Sequence, residues 1–174
     1  MAASVDVQEA NGASPGTWNI VTAARFCTTD SYNPGTSNPI PIPAAGTKRS
    51  YWKHHAPWFS GTFSQITNVR IYSDGAMFSS GAQTLIGVET LTEAQYNQAS
   101  GAIGDDGAEM VVSHPTIGSK QLFNIFTSGS PKVVDSGPIT SGRCKAVCLQ
   151  MDVDSLATAG TLSAETITWR YDEV

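Results

Sequence analysis

The segment 144-CKAVCLQMDV-153 decides the fold class, because its apolar residues recur at every second position. Val147, Leu149 and Met151 share one side of an extended chain, whereas the even-numbered residues point to the other side. A period of two is the mark of a β-strand, since successive side chains leave opposite faces of the sheet. The segment therefore predicts a half-buried strand with one face on the core.

The same alternation recurs elsewhere. Segment 66–73 ends at the turn signal Asp74-Gly75, and segment 164–174 places Ile167, Trp169 and Tyr171 on one side. Further short strands separated by Gly, Pro, Asn and Ser are predicted in segments 17–26, 49–59, 82–89, 108–114, 120–131 and 131–137. About ten short strands are typical of an all-β fold, so we expect a single β-sandwich or jelly-roll domain.

One segment has helical signals instead. In 91-LTEAQYNQASG-101, Thr92 and Gln95 form a capping box and Gly101 is a stop signal. We therefore expect one short helix between two strands.

The first residues differ from the rest, because a Gly- and Pro-containing stretch separates them from the first confident strand. We expect residues 1–16 to form an extended N-terminal arm and residues 17–174 to form the β-sandwich domain. Val5 and Val7 alternate with polar neighbours in this arm. The arm is thus predicted to add as a strand to the open sheet edge of a partner, with a frayed terminus as the alternative.

The stretch NPIPIP raises the question of which backbone tolerates three prolines two residues apart. Pro39, Pro41 and Pro43 lack N–H donors along the same edge of an extended chain, while both intervening isoleucines keep theirs. The pattern predicts an edge strand whose blocked side packs against a neighbouring subunit and whose isoleucines face inward. The alternative is a solvated polyproline loop.

Charge and composition exclude several classes of protein. The net charge is −5, the isoelectric point is about 5.0, and only 14% of the residues are charged. Basic patches are missing, so we do not expect nucleic-acid binding. An export signal and a membrane-spanning segment are not expected either. A weakly charged surface is typical either of a β-rich extracellular or viral protein or of a chain largely covered by neighbours, and composition alone does not separate the two.

Metal and catalytic centres are not expected. His54 and His55 are adjacent and must face opposite ways in a strand, so at most one of them could join His114 at a site. Asp105 and Asp106 are interpreted as a solvated turn rather than as calcium ligands or, with Glu109, as a glycosidase carboxylate pair. No nucleophile or phosphate-binding motif occurs, and the chain is predicted to be no enzyme and to need no cofactor.

The cysteines give little chemistry. Cys27, Cys144 and Cys148 lack the paired spacing of a zinc site. Buried free thiols are expected, with a bridge from Cys27 to either of the others as the alternative. Asp152 and Asp154 share a strand face, where a structural cation is a minor alternative.

Aromatic residues cluster in segment 50–61. Tyr51, Trp52 and Trp58 could form a platform for stacking on sugar rings, but Trp52 is expected in the core. Trp58, which follows a proline near a strand end, is the aromatic predicted to lie on a contact surface.

Segments 38–53, 66–75, 135–153 and 164–174 together resemble poorly characterised structural proteins of tailed bacteriophages. This resemblance covers most of the chain and rests on strand and turn signatures rather than on catalytic residues. It implies a virion structural protein of the small β-sandwich type, most commonly a capsid decoration or cement protein that binds the head surface.

The implied partners are the major capsid protein or other virion subunits, with further copies of the chain as an oligomer on the particle. The implied location is the virion, after synthesis in the host cytoplasm. Alternatives are a tail, neck or fibre accessory module and a carbohydrate-binding module. Val5, Val7, Pro39, Pro41, Pro43 and Trp58 are the residues expected to contact a partner.

Overall fold

The computed structural model describes residues 2–11, 16–76, 80–90, 98–110, 114, 116–117 and 120–174. These parts of the chain form thirteen β-strands and one turn of 3-10 helix at Phe123–Ile125. The strands are β1 (Ser4–Asn11), β2 (Thr17–Ile20), β3 (Thr47–Arg49), β4 (Lys53–Ser60), β5 (Ile66–Ser73), β6 (Ala82–Val88), β7 (Gly101–Ala102), β8 (Asp106–Gly107), β9 (Gln121–Leu122), β10 (Lys132–Asp135), β11 (Gly142–Arg143), β12 (Val147–Asp154) and β13 (Ile167–Glu173).

The strands form two main antiparallel sheets. The large sheet has the order β2-β1-β4-β12-β6-β9, with β11 paired to β4 and β3 paired to β12. The small sheet has the order β10-β5-β13, and β7 and β8 form a separate hairpin. All pairs are antiparallel. The fold is an all-β sandwich, as the sequence predicts.

The core lies between the two sheets. Ile86, Val147 and Leu149 of the large sheet pack against Ile71 and Val134 of the small sheet, and all five are buried. Burying side chains of this size stabilises a fold by roughly 1.5–3 kcal/mol each relative to exposure. These contacts hold the sheets face to face.

β12 is buried on both faces, so the prediction of a half-buried strand is wrong. Cys148 and Gln150 on the second face have no exposed surface. The Gln150 side chain accepts a hydrogen bond from Met110 N (3.0 Å) and donates one to Ala108 O (2.9 Å). A polar side chain can be buried when its donors and acceptors form hydrogen bonds with the backbone. The pattern of polar and apolar residues in the sequence does not reveal such bonds.

The prediction of a free N-terminal arm is also wrong for residues 4–11. β1 pairs with β4 from Ser4 to Ala10 and with β2 from Gln8 to Asn11. Val5 lies opposite Phe59 and packs against its core cluster. The segment therefore belongs to the domain's own large sheet, with its second half between β4 and β2.

Residues 38–43 belong to none of the described strands, so the edge-strand prediction is wrong and the loop alternative is closer. Asn38 has a φ of +51°, and its carbonyl accepts bonds from the N–H (2.8 Å) and hydroxyl (3.0 Å) of Thr28. Ile40 packs partly against the core, but Ile42 is 39% exposed. Three prolines lack the N–H donors that a β-ladder needs. The left-handed backbone conformation of Asn38 also interrupts an extended strand at the start of this segment.

The other element predictions have mixed outcomes. Strands β5, β6, β10, β12 and β13 confirm predicted segments. Segment 17–26 is a strand only in its first four residues, and segment 120–131 contains only the short β9 before the 3-10 turn. The predicted helix in 91–101 falls, over 91–97, outside the described residues, as does part of segment 108–114.

Candidate functional site

Two neighbouring histidines of β4 lie on opposite faces of the large sheet. His55 points toward Glu9 of β1, whereas His54 points toward Glu89 and His114 on the other side. The prediction that the two histidines face opposite ways is confirmed. Each of them meets a buried glutamate.

The His54 side chain is part of a buried cluster with Glu89 and His114. The two Nε2 atoms of the histidines are 3.1 Å apart, and Glu89 Oε1 lies 3.0 Å from that of His54 and 2.8 Å from that of His114. These three side chains are at most 4% exposed. Within the described residues, no donor is oriented to form a hydrogen bond with Glu89 Oε1.

Thr116 supports this cluster from one side. Its hydroxyl donates to Glu89 Oε2 over 2.7 Å and lies 3.2 Å from His114 Nδ1. The Thr116 N–H donates to the same Nδ1 atom over 3.4 Å. Thr116 therefore contacts both the carboxylate and the ring.

Cys148 completes the neighbourhood, because it lies directly opposite His54 in the β4–β12 register. The ligand atoms of His54, His114 and Cys148 all lie within 4.8 Å of one another. On the other side of Cys148, Gly87 of β6 leaves room for Ile117, whose Cγ2 would be 2.2 Å from an added Cβ. A glycine here allows Ile117 to approach the sheet closely.

Trp52 borders the cluster. Its ring centroid is 4.7 Å from that of His114, and its Nε1 donates to Ala108 O over 2.8 Å. The indole is buried and contacts both the His114 ring and the Ala108 carbonyl. It forms one wall around the His114 ring.

The electrostatics keep Glu89 ionised. Burial by itself raises the pKa of this carboxyl, but the contacts with His114, His54 and Thr116 outweigh burial and lower the pKa to about 2. Burial of the Cys148 thiol, together with the charge of Glu89, raises the pKa of this thiol well above its usual value. The cluster thus holds a carboxylate beside a neutral thiol.

The opposite face of β4 carries a second buried cluster. Glu9 Oε1 is 2.8 Å from Lys53 Nζ, and Glu9 Oε2 is 2.8 Å from His55 Nε2. Lys53 also donates to Ser31 O. Burial raises the pKa of Glu9, but the contacts with His55 and Lys53 outweigh it and leave that pKa below its usual value.

A large cleft lies between the two sheets, and we call it the inter-sheet cleft. Its volume is about 1210 Å³. It is bounded by strands of both sheets and by the segments 21–26, 39–42 and 157–165. Val7, Pro39 and Ile42 are among its lining residues.

The remaining residues predicted to contact a partner have other surroundings. Val5 packs against the core, and Pro41 and Pro43 are half-buried in their loop. The structure therefore brings only Val7 and Pro39 of the six together, at the cleft.

Trp58 is engaged within its own chain. The Arg143 guanidinium lies 4.9 Å from the Trp58 ring centroid and 4.2 Å from that of Trp18. Gln8 Oε1 accepts two hydrogen bonds from Arg143, at 3.0 and 2.8 Å. The half-buried Trp58 ring is thus covered in part by a cation of the same protein.

The acidic residues considered as cation ligands have local partners instead. Asp105 pairs with Lys48 at 2.8 Å, and Asp106 Oδ1 accepts the N–H of Arg49 at 2.7 Å. Asp152 lies 3.9 Å from the Arg49 side chain, while Asp154 accepts a turn N–H. These contacts are structural.

The three cysteines, Cys27, Cys144 and Cys148, are buried free thiols, which confirms the expectation. The sugar platform is not formed in full, because Tyr51 and Trp52 are only 4% and 2% exposed. These rings belong to a core cluster on the outer face of the large sheet.

Comparisons of the chain with protein-family models, with curated proteins and with solved structures found no match. Among the described residues, the structure contains no helix with the length and apolar character needed to cross a membrane. The site must therefore be interpreted from its own geometry.

Sequence reasoning missed the two glutamates. Glu9 continues the face of Val5 and Val7, so the period of two could have placed it inward. Glu89 directly follows β6 and had no local signal. Only the three-dimensional fold brings it to His54 and His114.

Proposed function

We propose that this chain is a structural subunit of a virion, a decoration or cement protein that binds the head surface of a tailed bacteriophage. Its partner is then the major capsid protein or another virion subunit, with several copies of the chain on each particle. The resemblance in sequence, the sandwich fold and the charged fraction of 14% all support this proposal.

The observation that supports it best is the inter-sheet cleft. At about 1210 Å³ it exceeds the roughly 300–1,000 Å³ of ordinary small-ligand pockets. Protein interiors are otherwise packed as densely as organic crystals. An apolar space of this size favours a covering partner, because filling it removes apolar surface from water.

The mouth of the cleft also has the character of a contact surface. Pro39 is exposed and Ile42 is 39% exposed, and neither lies in a strand. A proline-containing loop cannot extend a ladder, so it packs through side chains without recruiting further strands. A subunit of an assembly needs contacts of this kind.

A carbohydrate-binding module has less support. Sugar rings stack on exposed aromatic faces, and of the three aromatics considered, Tyr51 and Trp52 are buried while Trp58 is stacked by Arg143. Tail, neck or fibre roles are distinguished from decoration by the number of copies on each particle.

The test is co-sedimentation of the purified chain with heads of the encoding virus that lack it. We expect saturable binding, with a number of copies that matches the capsid lattice. A handful of copies per particle would point to a neck or tail part. Absence of binding to heads, tails and complete particles would refute the proposal.

Two matched variants test whether the cleft is the contact surface. Ile42→Asp places a charge at the mouth, whereas Val133→Asp places one on β10, where the side chain is 57% exposed and does not line the cleft. We expect Ile42→Asp to weaken binding by at least about tenfold and Val133→Asp to leave it unchanged. Equal effects would show that the cleft is not the attachment site.

A further inference from the structure

We propose that His54, Glu89, His114 and Cys148 bind one divalent transition-metal ion of the zinc class. The inference concerns the opposite side of the large sheet from the inter-sheet cleft and does not depend on attachment to a particle. It also reverses the expectation from the sequence that the chain has no metal site.

The spacing of three ligand atoms carries the inference. The Nε2 atoms of His54 and His114 and the Oε1 atom of Glu89 form a triangle with sides of 3.1, 3.0 and 2.8 Å. A point about 1 Å above the plane of such a triangle lies about 2.0–2.1 Å from all three corners, which matches Zn–N and Zn–O bond lengths. One ion can therefore contact all three atoms with little movement.

The orphaned carboxylate oxygen points the same way. Glu89 Oε1 is fully buried, and among the described residues its close contacts are the two ring nitrogens within 3.0 Å, neither of which is aligned as a good hydrogen-bond donor. A buried anionic oxygen without a donor is costly. A cation bound at the centre of the triangle would satisfy it.

Thr116 prepares His114 as a ligand. The Thr116 hydroxyl donates to Glu89 Oε2 at 2.7 Å, and its oxygen lies 3.2 Å from His114 Nδ1. The Thr116 N–H donates to the same Nδ1 atom at 3.4 Å, so Thr116 fixes the position of the ring. Metal binding at Nε2 requires the ring proton to move to Nδ1, where the Thr116 hydroxyl oxygen is placed to accept a hydrogen bond from it.

Cys148 supplies the fourth donor and sets the choice of metal. Its sulfur lies within 4.8 Å of one ring nitrogen of each histidine, and the residue has no exposed surface. Metal binding deprotonates a coordinating thiol, and a thiolate selects zinc-class ions over magnesium or calcium. A dipositive ion with the Glu89 carboxylate and this thiolate has no net charge, which suits a buried position.

The burial of all four side chains indicates a structural role rather than a catalytic one. Structural zinc sites have four protein ligands, whereas catalytic sites keep an open position. The ion would join β4 and β12 to the residue after β6 and to the segment around His114. It would thereby fasten His114 to the outer face of the large sheet.

The first experiment uses the untagged wild-type chain, prepared with zinc and then treated with a chelator. We expect one zinc per chain by elemental analysis and a melting temperature that falls by at least several degrees when zinc is removed and recovers when it is returned. No bound zinc, together with a melting temperature that chelation does not change, would overturn the proposal.

The second experiment identifies the ligands by replacing zinc with Co²⁺. Tetrahedral cobalt absorbs in the visible range, and a cobalt–thiolate bond adds a charge-transfer band in the near ultraviolet. We expect both in the wild type, and we expect Cys148→Ser to abolish the near-ultraviolet band. Cys144→Ser, at a buried cysteine outside the cluster, is the matched control and should keep it. A wild-type cobalt spectrum without the thiolate band would refute Cys148 as a ligand.

The histidine is tested by His114→Ala, which should lower zinc affinity by more than about 100-fold. If this variant does not fold, the wild-type stoichiometry and cobalt spectrum decide the matter alone. Unchanged affinity in a folded His114→Ala variant would refute the assigned site.

Discussion

On each face of β4 a histidine meets a glutamate from another part of the chain, yet the two clusters differ in how the charge of the glutamate is balanced. On the inner face, Glu9 has one oxygen on Lys53 and the other on His55, both at 2.8 Å. On the outer face, the described residues offer Glu89 Oε1 no oriented donor. The carboxylate of the inner cluster is satisfied on both oxygens, whereas the outer one has the ligand spacing on which the proposed metal site rests.

This difference teaches that burial and residue type do not by themselves define a metal site. The inner cluster holds a fixed ammonium group that satisfies the carboxylate. The outer cluster replaces that group with a second histidine, whose nitrogen can present a lone pair. The identity of one neighbour decides between an ion pair and a ligand set.

The largest expected effect comes from removing the inner cluster altogether. Deleting residues 2–11 removes β1, its pairing with two strands, and Glu9. We expect an insoluble or unfolded product, because Lys53 is then left buried without its carboxylate. Circular dichroism and solubility of the truncated chain test this. A folded truncation with an unchanged melting temperature would restore the interpretation of the segment as a free arm.

Lys53→Met tests the inner charge balance with a single change. The side chain is completely buried, and its loss leaves Glu9 with only His55. Breaking a buried pair on one side costs about 3–5 kcal/mol of unfolding free energy. Urea denaturation measures the loss. A cost below about 1 kcal/mol would mean that water reaches the carboxylate in solution.

Acid should weaken the inner cluster in a defined direction. The folded-state pKa of Glu9 lies below the ordinary value of 4.5, so its contribution to stability is present above that value. The contribution is lost as the pH falls from about 4.5 through the folded-state pKa. Denaturant midpoints measured across this window should fall less steeply for Glu9→Gln than for the wild type. Parallel profiles would show that Glu9 does not titrate in this way.

The smallest effect is expected at Thr116 on the outer face. Thr116→Val keeps the shape of the side chain and removes the hydroxyl that orients His114 and Glu89. Without metal we expect a loss of about 1 kcal/mol in unfolding free energy. Zinc affinity should fall by about 10–100-fold, as for other residues that orient ligands. Equal losses of stability with and without zinc would separate Thr116 from metal binding.

The sequence predicts the strands well where one face is apolar and the pattern is long. β5, β12 and β13 follow directly from alternation. It predicts the exposure of β12 wrongly, because Gln150 is buried by bonds to the backbone of a distant segment. Contacts between separate parts of the chain carry no local signal.

The candidate site shows the same limit. Alternation separates His54 from His55 correctly, since this depends only on the period of a strand. The contact of His54 with His114 and Glu89 depends on the order of the strands and on where the fold places His114. The need for glycine at position 87 can be recognised only when Ile117 is known to pack against it.

The contact between Trp52 and His114 gives the protein a built-in optical reporter. The indole ring lies 4.7 Å from the imidazole and is shielded from solvent, so a change at that ring is expected to alter its emission. Any event that changes the charge or coordination of His114 changes the electric field on Trp52, which is one of four tryptophans in the chain. A difference in fluorescence between the wild type and a variant that lacks His114 therefore reports on the outer cluster without a label.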